Sequence, residues 1–509
     1  MHNNVELRLR LVYCLSEFIR TQIRLGVASS QKKIPLMHLH EKPDVCLIRI
    51  TLNIKSLLYL LSRPDHLPAE EESKPSPPTK VFCLRCPKNT KTSENHDDPI
   101  ILDKMNEGAV VISNAYLELI FDEDTHLLTS VKNKETNLTK DVKLTFGGYA
   151  TMQFRNGAYL FKPDTNRDPL PVIDPIDNLK EIVIISGPVF SEISLIYEAG
   201  TAMANLGSFV HTIRLYHAHP DNPLARGIYI ENNFSFGDQN NFRDLDMFMR
   251  LDSGLKNGPN QEWFSDANGL SMQRRIPAAN ASGLEGNIYP ITNMIYLEDS
   301  QSRLTLLVDH ATGASSQSQG RLEVIVDRRA SYDDARGMGE GILDNRDTEH
   351  RYWLLLEPKK SQNFDVVSTP TQLASILSRR LNFPILHFVS SESVTKGLLR
   401  SQSTALVKAL PESVHLFNLR SNSVTPDKPG KTALLILHRQ GFDCGYDGKD
   451  TIEDYVPHFE ESEVQVAKYQ FTSLTGNENK SPNGSLDSLR KSQWRPENMR
   501  LQTLKLFFH

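Results

Sequence analysis

The strongest constraint on how this chain folds is a succession of short segments, from Val110 to Glu357, in which apolar and polar residues alternate. VVISNAYLELIFD (Val110–Asp122) sets the pattern as a first strand, and THLLTSVKNKETN follows as a second. VKLTFGGYATMQF, EIVIISG, SEISLIYEA, SFVHTIRLYHA, RGIYIENNFSF, DLDMFMRL, NMIYLED, RLTLLVD, LEVIVD and RYWLLLE repeat it. A period of two puts successive side chains on opposite faces, so each segment predicts a strand with one face toward a core. Gly, Asn, Asp or Pro stands between them, and strands this short and this regularly punctuated predict stacked antiparallel sheets. The fold class is mainly β, with a large antiparallel β-sandwich over residues 100–365.

The period changes at TQLASILSRRLNFP (Thr371–Pro384), where apolar positions fit 3.6 residues per turn and predict a helical connector over 366–385. Strands return in ESVHLFNLRS, KTALLILHRQGF and MRLQTLKLFF. They predict a smaller C-terminal β-sandwich over 386–509, with a flexible loop at about 450–495 where the chain is polar and patternless. Upstream, PAEEESKPSPPTK (Pro68–Lys80) replaces apolar residues with proline, serine and charge. That composition predicts a linker at 66–99 closing an atypical N-terminal extension, 1–99, poorly ordered or helical.

A net charge of −5 over 509 residues gives no basic field of the kind nucleic acid or an anionic membrane attracts. CLIRITLNIKSLLYLL (Cys46–Leu61) is short for a membrane span and carries Arg49 and Lys55 inside it, so no membrane segment is expected. No secretory signal is visible at the N-terminus. Even so, five Asn-x-Ser/Thr sequons (Asn137, Asn233, Asn280, Asn479, Asn483) would suit a chain in the secretory pathway. Five cysteines form no disulfide framework, and Cys83-Leu-Arg-Cys86 lacks the further ligands of a zinc site.

The run EVIVDRRASYDDARGMGEGILDN (Glu323–Asn345) concentrates charge after an apolar strand. Asp333 and Asp334 are adjacent, so on extended backbone they face opposite ways and make a poor acid and nucleophile pair. They suit better the bracing of a loop by pairing with Arg328, Arg329 or Arg336, because a guanidinium fork takes a carboxylate with several donors. His217-Ala-His219-Pro-Asp221 has a ligand-like spacing but runs into turn residues, and MGEGILD (Met338–Asp344) serves turning, with no strand-to-helix phosphate loop around it. FGGYATMQFRNGAYLF (Phe146–Phe161) admits a sugar-stacking reading, while the simpler reading is a core strand with a bulge at Gly157.

The literal strings NGAYLFKPD (Asn156–Asp164), EWFSDANGLSMQRR (Glu262–Arg275), NIYPITNMIYLEDSQSRLTLLVDHATGASS (Asn287–Ser316) and GRLEVIVDRRASYDDARGMGEGILDN (Gly320–Asn345) resemble the C-terminal half of class II alpha-mannosidases, most closely the Golgi alpha-mannosidase II group. ALLILHRQGFDC (Ala433–Cys444) and the closing MRLQTLKLFF resemble that group's last sandwich. The resemblance implies a galactose-mutarotase-like large sandwich, a Golgi or secretory location, and a mannose-containing N-glycan as substrate. In the family, zinc, the aspartate nucleophile and the acid/base aspartate belong to an N-terminal domain. Residues 1–99 match neither its zinc motif nor its nucleophile segment, and Met37-His-Leu-His40 is no substitute. No catalytic residue, metal ligand or cofactor is therefore assigned here, zinc being expected only in that missing domain, a potential partner of this chain. The resemblance implies substrate contacts for Tyr159 and for one of Arg328 and Arg329, with Asp327, Asp333, Asp334 and Arg336 bracing the loop. The alternative is a non-catalytic glycan-binding or interaction β-sandwich protein.

Overall fold

The computed structural model describes residues 80–85, 110–151, 156–164, 170–171, 179–198, 208–219, 222–235, 244–278, 283–343, 346–359, 369–384, 410–411, 413–421, 430–441, 466–485, 488–489 and 500–508. They fall into two compact units, one ending at Ser253 and joined by Ile325–Arg351, the other formed by Gly254–Val324 and Tyr352–His509.

The first unit is a sandwich. In one sheet, Lys80–Arg85, Leu179–Ser186, Phe190–Glu198, Ser208–Tyr216 and Ile228–Ser235 are antiparallel neighbours in that order. In the other, Leu245–Ser253, Leu138–Ala150, Leu128–Asn133, Leu117–Phe121 and Val111–Ser113 follow one another. The end of the strand Arg321–Arg329 flanks Leu245–Ser253. Alternation does what the sequence implies: in Leu117–Phe121 every second side chain, Leu117, Leu119 and Phe121, is buried. Phe146 reaches across to the rings of Phe209 and His211, at 4.8 and 5.1 Å. Its neighbour Gly147 lies under Phe248, and a Cβ there would stand 2.4 Å from that ring, so only glycine lets Phe248 cross the strand.

His211 sits in this core, bonded through Nδ1 to Asn232 Oδ1 at 2.7 Å. Burial pulls its imidazole down to about 4, with the Asn232 bond opposing only in part. A depressed folded value means that the unfolded chain takes up a proton near pH 6.5 which the native core refuses. Stability from this residue is complete above pH 6.5 and drains away as the pH falls toward 4. Between pH 6.5 and 5 the expected loss is about 2 kcal/mol. Chemical denaturation followed by circular dichroism at the two pH values checks this. His211→Phe should flatten the slope, and an unchanged slope would rule out His211 as its source.

In the second unit the strand Ser302–Val308 is buried along its whole length, between antiparallel residues 352–358 and Met294–Glu298. The helix Gln372–Asn382 packs on it and buries Leu373, Ala374, Ile376 and Leu377. Thr371 caps the helix: its hydroxyl accepts from Ala374 N at 3.1 Å and donates to Glu357 at 2.9 Å. Val414–Ser421, Thr432–Arg439, Arg500–Phe508 and Val466–Thr472 form a four-stranded antiparallel sheet in that order. Its core gathers Val414, Leu435, Leu437, Leu489, Leu504 and Leu506.

Three readings need correction. Val110–Asp122 is not one strand: Asn114 breaks it, donating to the carbonyls of Tyr216 (2.9 Å) and Ala225 (2.7 Å) while accepting from the N–H groups of Tyr116 and Leu117. Lys80–Arg85 lies inside the segment read as linker yet forms an edge strand on Leu179–Ser186, because the short β-prone run VFCL follows closely after the prolines. Val466–Thr472 likewise runs as a strand through the segment read as a flexible loop, its pattern diluted by the polar residues around it. Met37–His40, Cys86 and Asp221 lie outside the described residues.

Candidate functional site

The charged run after Ile325 and the NGAYLF string meet within the first unit. The strand Leu138–Ala150 ends early, so Phe146–Phe161 is not one strand, and Gly157 stands in a bend where the sequence predicts a bulge. The excursion is tied at its base by a bridge between Thr151 and Pro163 and by Asp164 N donating to Ala150 O at 2.7 Å. At its tip, Gly157 N donates to Leu160 O at 3.0 Å.

Two side chains clamp this tip. One Asp334 oxygen accepts from the N–H groups of Tyr159 (2.7 Å) and Leu160 (2.8 Å), and the other accepts from Arg336 N at 3.2 Å. Burial alone would raise the Asp334 carboxyl, but these three N–H donors and the charge of Arg336 outweigh it and hold it below the usual carboxylate range. Arg328 holds the other side, donating to Leu160 O at 3.0 Å and to Asn156 Oδ1 at 3.1 Å. Its Nε donates to Asp246 Oδ1 at 2.6 Å, and Asn156 Nδ2 reaches the second Asp246 oxygen at 3.3 Å. The Asp246 side chain is fully buried, which raises its pKa despite the opposing charge and bonds of Arg328 and Asn156.

The site residues therefore part company. Tyr159 stands 64 % exposed, its N–H and that of Leu160 fixed by Asp334, while Arg328 bonds the Leu160 carbonyl and holds its guanidinium 5.6 Å from the Phe161 ring. Arg329 is buried; burial lowers its pKa and the charge of Asp244 opposes that. Asp327 accepts from Arg328 N at 2.7 Å and from the Thr348 hydroxyl at 3.4 Å. Among the described residues the buried Asp333 Oδ1 has no hydrogen-bond partner. The expected pairing of Asp333 or Asp334 with nearby arginine side chains is also corrected in its main term. Arg328 takes Asp246, and Asp334 is held by the backbone N–H groups of Tyr159, Leu160 and Arg336, with the charge of Arg336 adding to them, in a turn where Ala335, Gly337 and Gly339 adopt positive φ.

Sequence reasoning missed Asp246, Asn156 and the contact between Gly157 and Asp334. A usable signal existed for the first: Asp246 is a lone carboxylate within the apolar run LDMFM, where a buried charge demands a partner. His217 bonds to Ser191 Oγ at 2.8 Å, a structural role. Among the described residues no three His, Cys, Asp or Glu side chains converge as metal ligands would, so these residues do not fit a zinc ion. Nor does any described helix have the length and apolarity to cross a membrane.

Residues 112–336 match the family described as "Glycosyl hydrolases family 38 C-terminal domain". The chain is 30% identical over 465 residues to "Alpha-mannosidase 2" of Spodoptera frugiperda, an alignment covering 84% of this chain and 39% of that protein. Against "Alpha-mannosidase 2" of Homo sapiens it is 31% identical over 352 residues, covering 68% and 29% respectively. It thus spans well under half the length of these relatives. Among solved structures, an alpha-mannosidase from Enterococcus faecalis V583 shares the fold at a TM-score of 0.50 and 12% identity, over 78% of this chain and 42% of that one. The matched residues include both halves of the clamp, and they form a glycosyl hydrolase family 38 C-terminal domain homologous to that of the class II alpha-mannosidases.

Proposed function

We propose that this chain is the C-terminal part of an alpha-mannosidase that acts on mannose-containing N-glycans in the Golgi lumen or secretory pathway, and that it supplies walls of the sugar pocket. Bond cleavage then belongs to a zinc-bearing catalytic domain that these residues do not form. The observation that carries the reading is the clamped Tyr159: an exposed residue on backbone fixed by Asp334, with Arg328 bonded to the carbonyl of the next residue, Leu160. Fixed donors are what a sugar ring needs, because holding substrate hydroxyls in one geometry removes orientational cost from the reacting complex. Of the two arginines, Arg328 is the one assigned to substrate, since its side chain is 24% exposed while Arg329 is buried. The family match and the extent of the alpha-mannosidase alignment support the substrate class.

The test uses two proteins. The chain alone, given an aryl alpha-mannoside with zinc, is expected to show no turnover. A chimaera in which residues 110–509 replace the matching part of the Spodoptera frugiperda relative is expected to hydrolyse it. Tyr159→Phe in the chimaera should lower kcat/KM by roughly tenfold, the worth of one hydrogen bond to a substrate hydroxyl. Turnover by the chain alone, or a Tyr159→Phe chimaera as active as its parent, would sink the assignment. Mannoside binding without hydrolysis in a zinc-loaded chimaera would favour a glycan-binding module instead.

A further inference from the structure

The sequons differ sharply in what the fold leaves available. Asn233 sits mid-strand in Ile228–Ser235, half-buried, with Nδ2 donating to Glu231 Oε1 at 3.1 Å. At the Asn479 sequon the Ser481 hydroxyl is taken by Phe471 N at 3.0 Å and Pro482 follows at once. At the Asn483 sequon the Ser485 hydroxyl accepts from Ser488 N at 3.2 Å. Asn280 lies outside the described residues.

Asn137-Leu138-Thr139 is different. It closes the hairpin between Leu128–Asn133 and Leu138–Ala150, where Asn133 pairs with Leu138. Asn137 and Thr139 are both exposed, and among the described residues neither the Asn137 amide nor the Thr139 hydroxyl is engaged in a hydrogen bond. Asn137 adopts φ +52°, a left-handed turn conformation that asparagine tolerates. The rest of the turn is pinned: Lys134 Nζ donates to Asn114 O at 2.8 Å, and Glu135 takes both arms of Arg226, at 3.0 and 2.8 Å. The fold therefore holds this tripeptide out from a rigid edge, with room for a bulky polar group that would disrupt a half-buried strand such as the one carrying Asn233.

We propose that Asn137 is an N-glycosylation site. It rests on the lumenal location in the reading above. The Asn137 amide nitrogen forms a C–N bond to the anomeric carbon of a lipid-pyrophosphate-linked oligosaccharide. The bond from that carbon to the pyrophosphate oxygen breaks, the lipid pyrophosphate leaves, and the amide gives up one proton to the transferase. No oxidant or reductant is involved.

The experiment expresses the full chain behind a cleavable secretion signal in insect cells and maps glycans by mass spectrometry before and after peptide:N-glycosidase digestion. Supplying the signal separates acceptor use from the natural route of entry, so failure here leaves the mannosidase reading to its own turnover assay. Expected is a glycan on Asn137 and none on Asn233. Asn137→Gln and Thr139→Ala should each abolish the Asn137 glycan and its gel shift, while Thr139→Ser retains them. Mapping on the unaltered chain needs no variant to fold. A secreted chain with an unmodified Asn137 peptide, glycans at other sequons or not, would overturn the proposal.

Discussion

Arg328→Met is expected to destabilise the first unit by about 3 kcal/mol at pH 7, the lower end of the range for breaking a buried ion pair by removing one partner. The lower end applies because the Arg328 side chain keeps 24% of its exposure, whereas Asp246 has none. Methionine fills much of the same volume, so the loss comes from a stranded carboxylate and from the bonds Arg328 gives to Leu160 O and Asn156 Oδ1. The pH dependence separates these terms. Asp246 is already raised by burial with Arg328 present, and without that charge it rises further. A carboxyl raised in the folded state is no burden below its unfolded value near 4; the penalty grows as the pH climbs toward the folded value. Denaturation midpoints by circular dichroism should therefore converge with the parent on acidification, and Asp246→Asn in the Arg328→Met background should recover part of the loss at pH 7. A deficit under 0.5 kcal/mol, or one independent of pH, would show that the pair does not hold this part of the sheet; roughly that margin is the ordinary scatter of surface substitutions.

The strands were legible because their signal is local. Leu117–Phe121 and Ser208–Tyr216 declare a period of two within a few residues, and nothing distant is needed to read it. Partners are another matter. Arg328 stands beside Arg329 and near Asp333 and Asp334 in the sequence, yet its carboxylate is Asp246, 82 positions away, because the inward-facing side of a neighbouring strand supplies it. Asp334 finds its donors 174 and 175 positions away. Composition announces that this loop needs charge compensation; only the pairing of Leu245–Ser253 with its neighbours says from where. The resemblance to class II alpha-mannosidases singled out Tyr159 and the arginine pair, and the geometry then distinguishes Arg328 from Arg329 by burial. Asp333 reads in the sequence as a charged neighbour in a tight turn, and burial adds what the sequence does not show, that its Oδ1 has no partner among the described residues.

Gly157→Ala is expected to act further from stability and closer to function. A Cβ at Gly157 would lie 2.8 Å from Asp334 Cβ, 2.9 Å from its Cγ and 2.9 Å from its backbone nitrogen, so no side-chain rotation relieves the contact. Either Asp334 or the tip of the NGAYLF excursion moves, and both N–H bonds that fix Tyr159 and Leu160 depend on their separation. Overpacking of this kind costs about 1–3 kcal/mol. A displacement of the phenol by about 1 Å should lower kcat of the chimaeric enzyme by around 10²-fold, because orientation at a reacting sugar is steep in distance. A double-mutant cycle with Asp334→Gly tests the cause, since it removes the Cβ and Cγ that the added methyl group would strike and leaves only the backbone nitrogen at 2.9 Å. If the clamp transmits the effect, the alanine costs less kcat in that background than in the parent. Full additivity of the two substitutions, or a Gly157→Ala chimaera with parental kcat, would mean that Tyr159 is positioned by something other than Asp334.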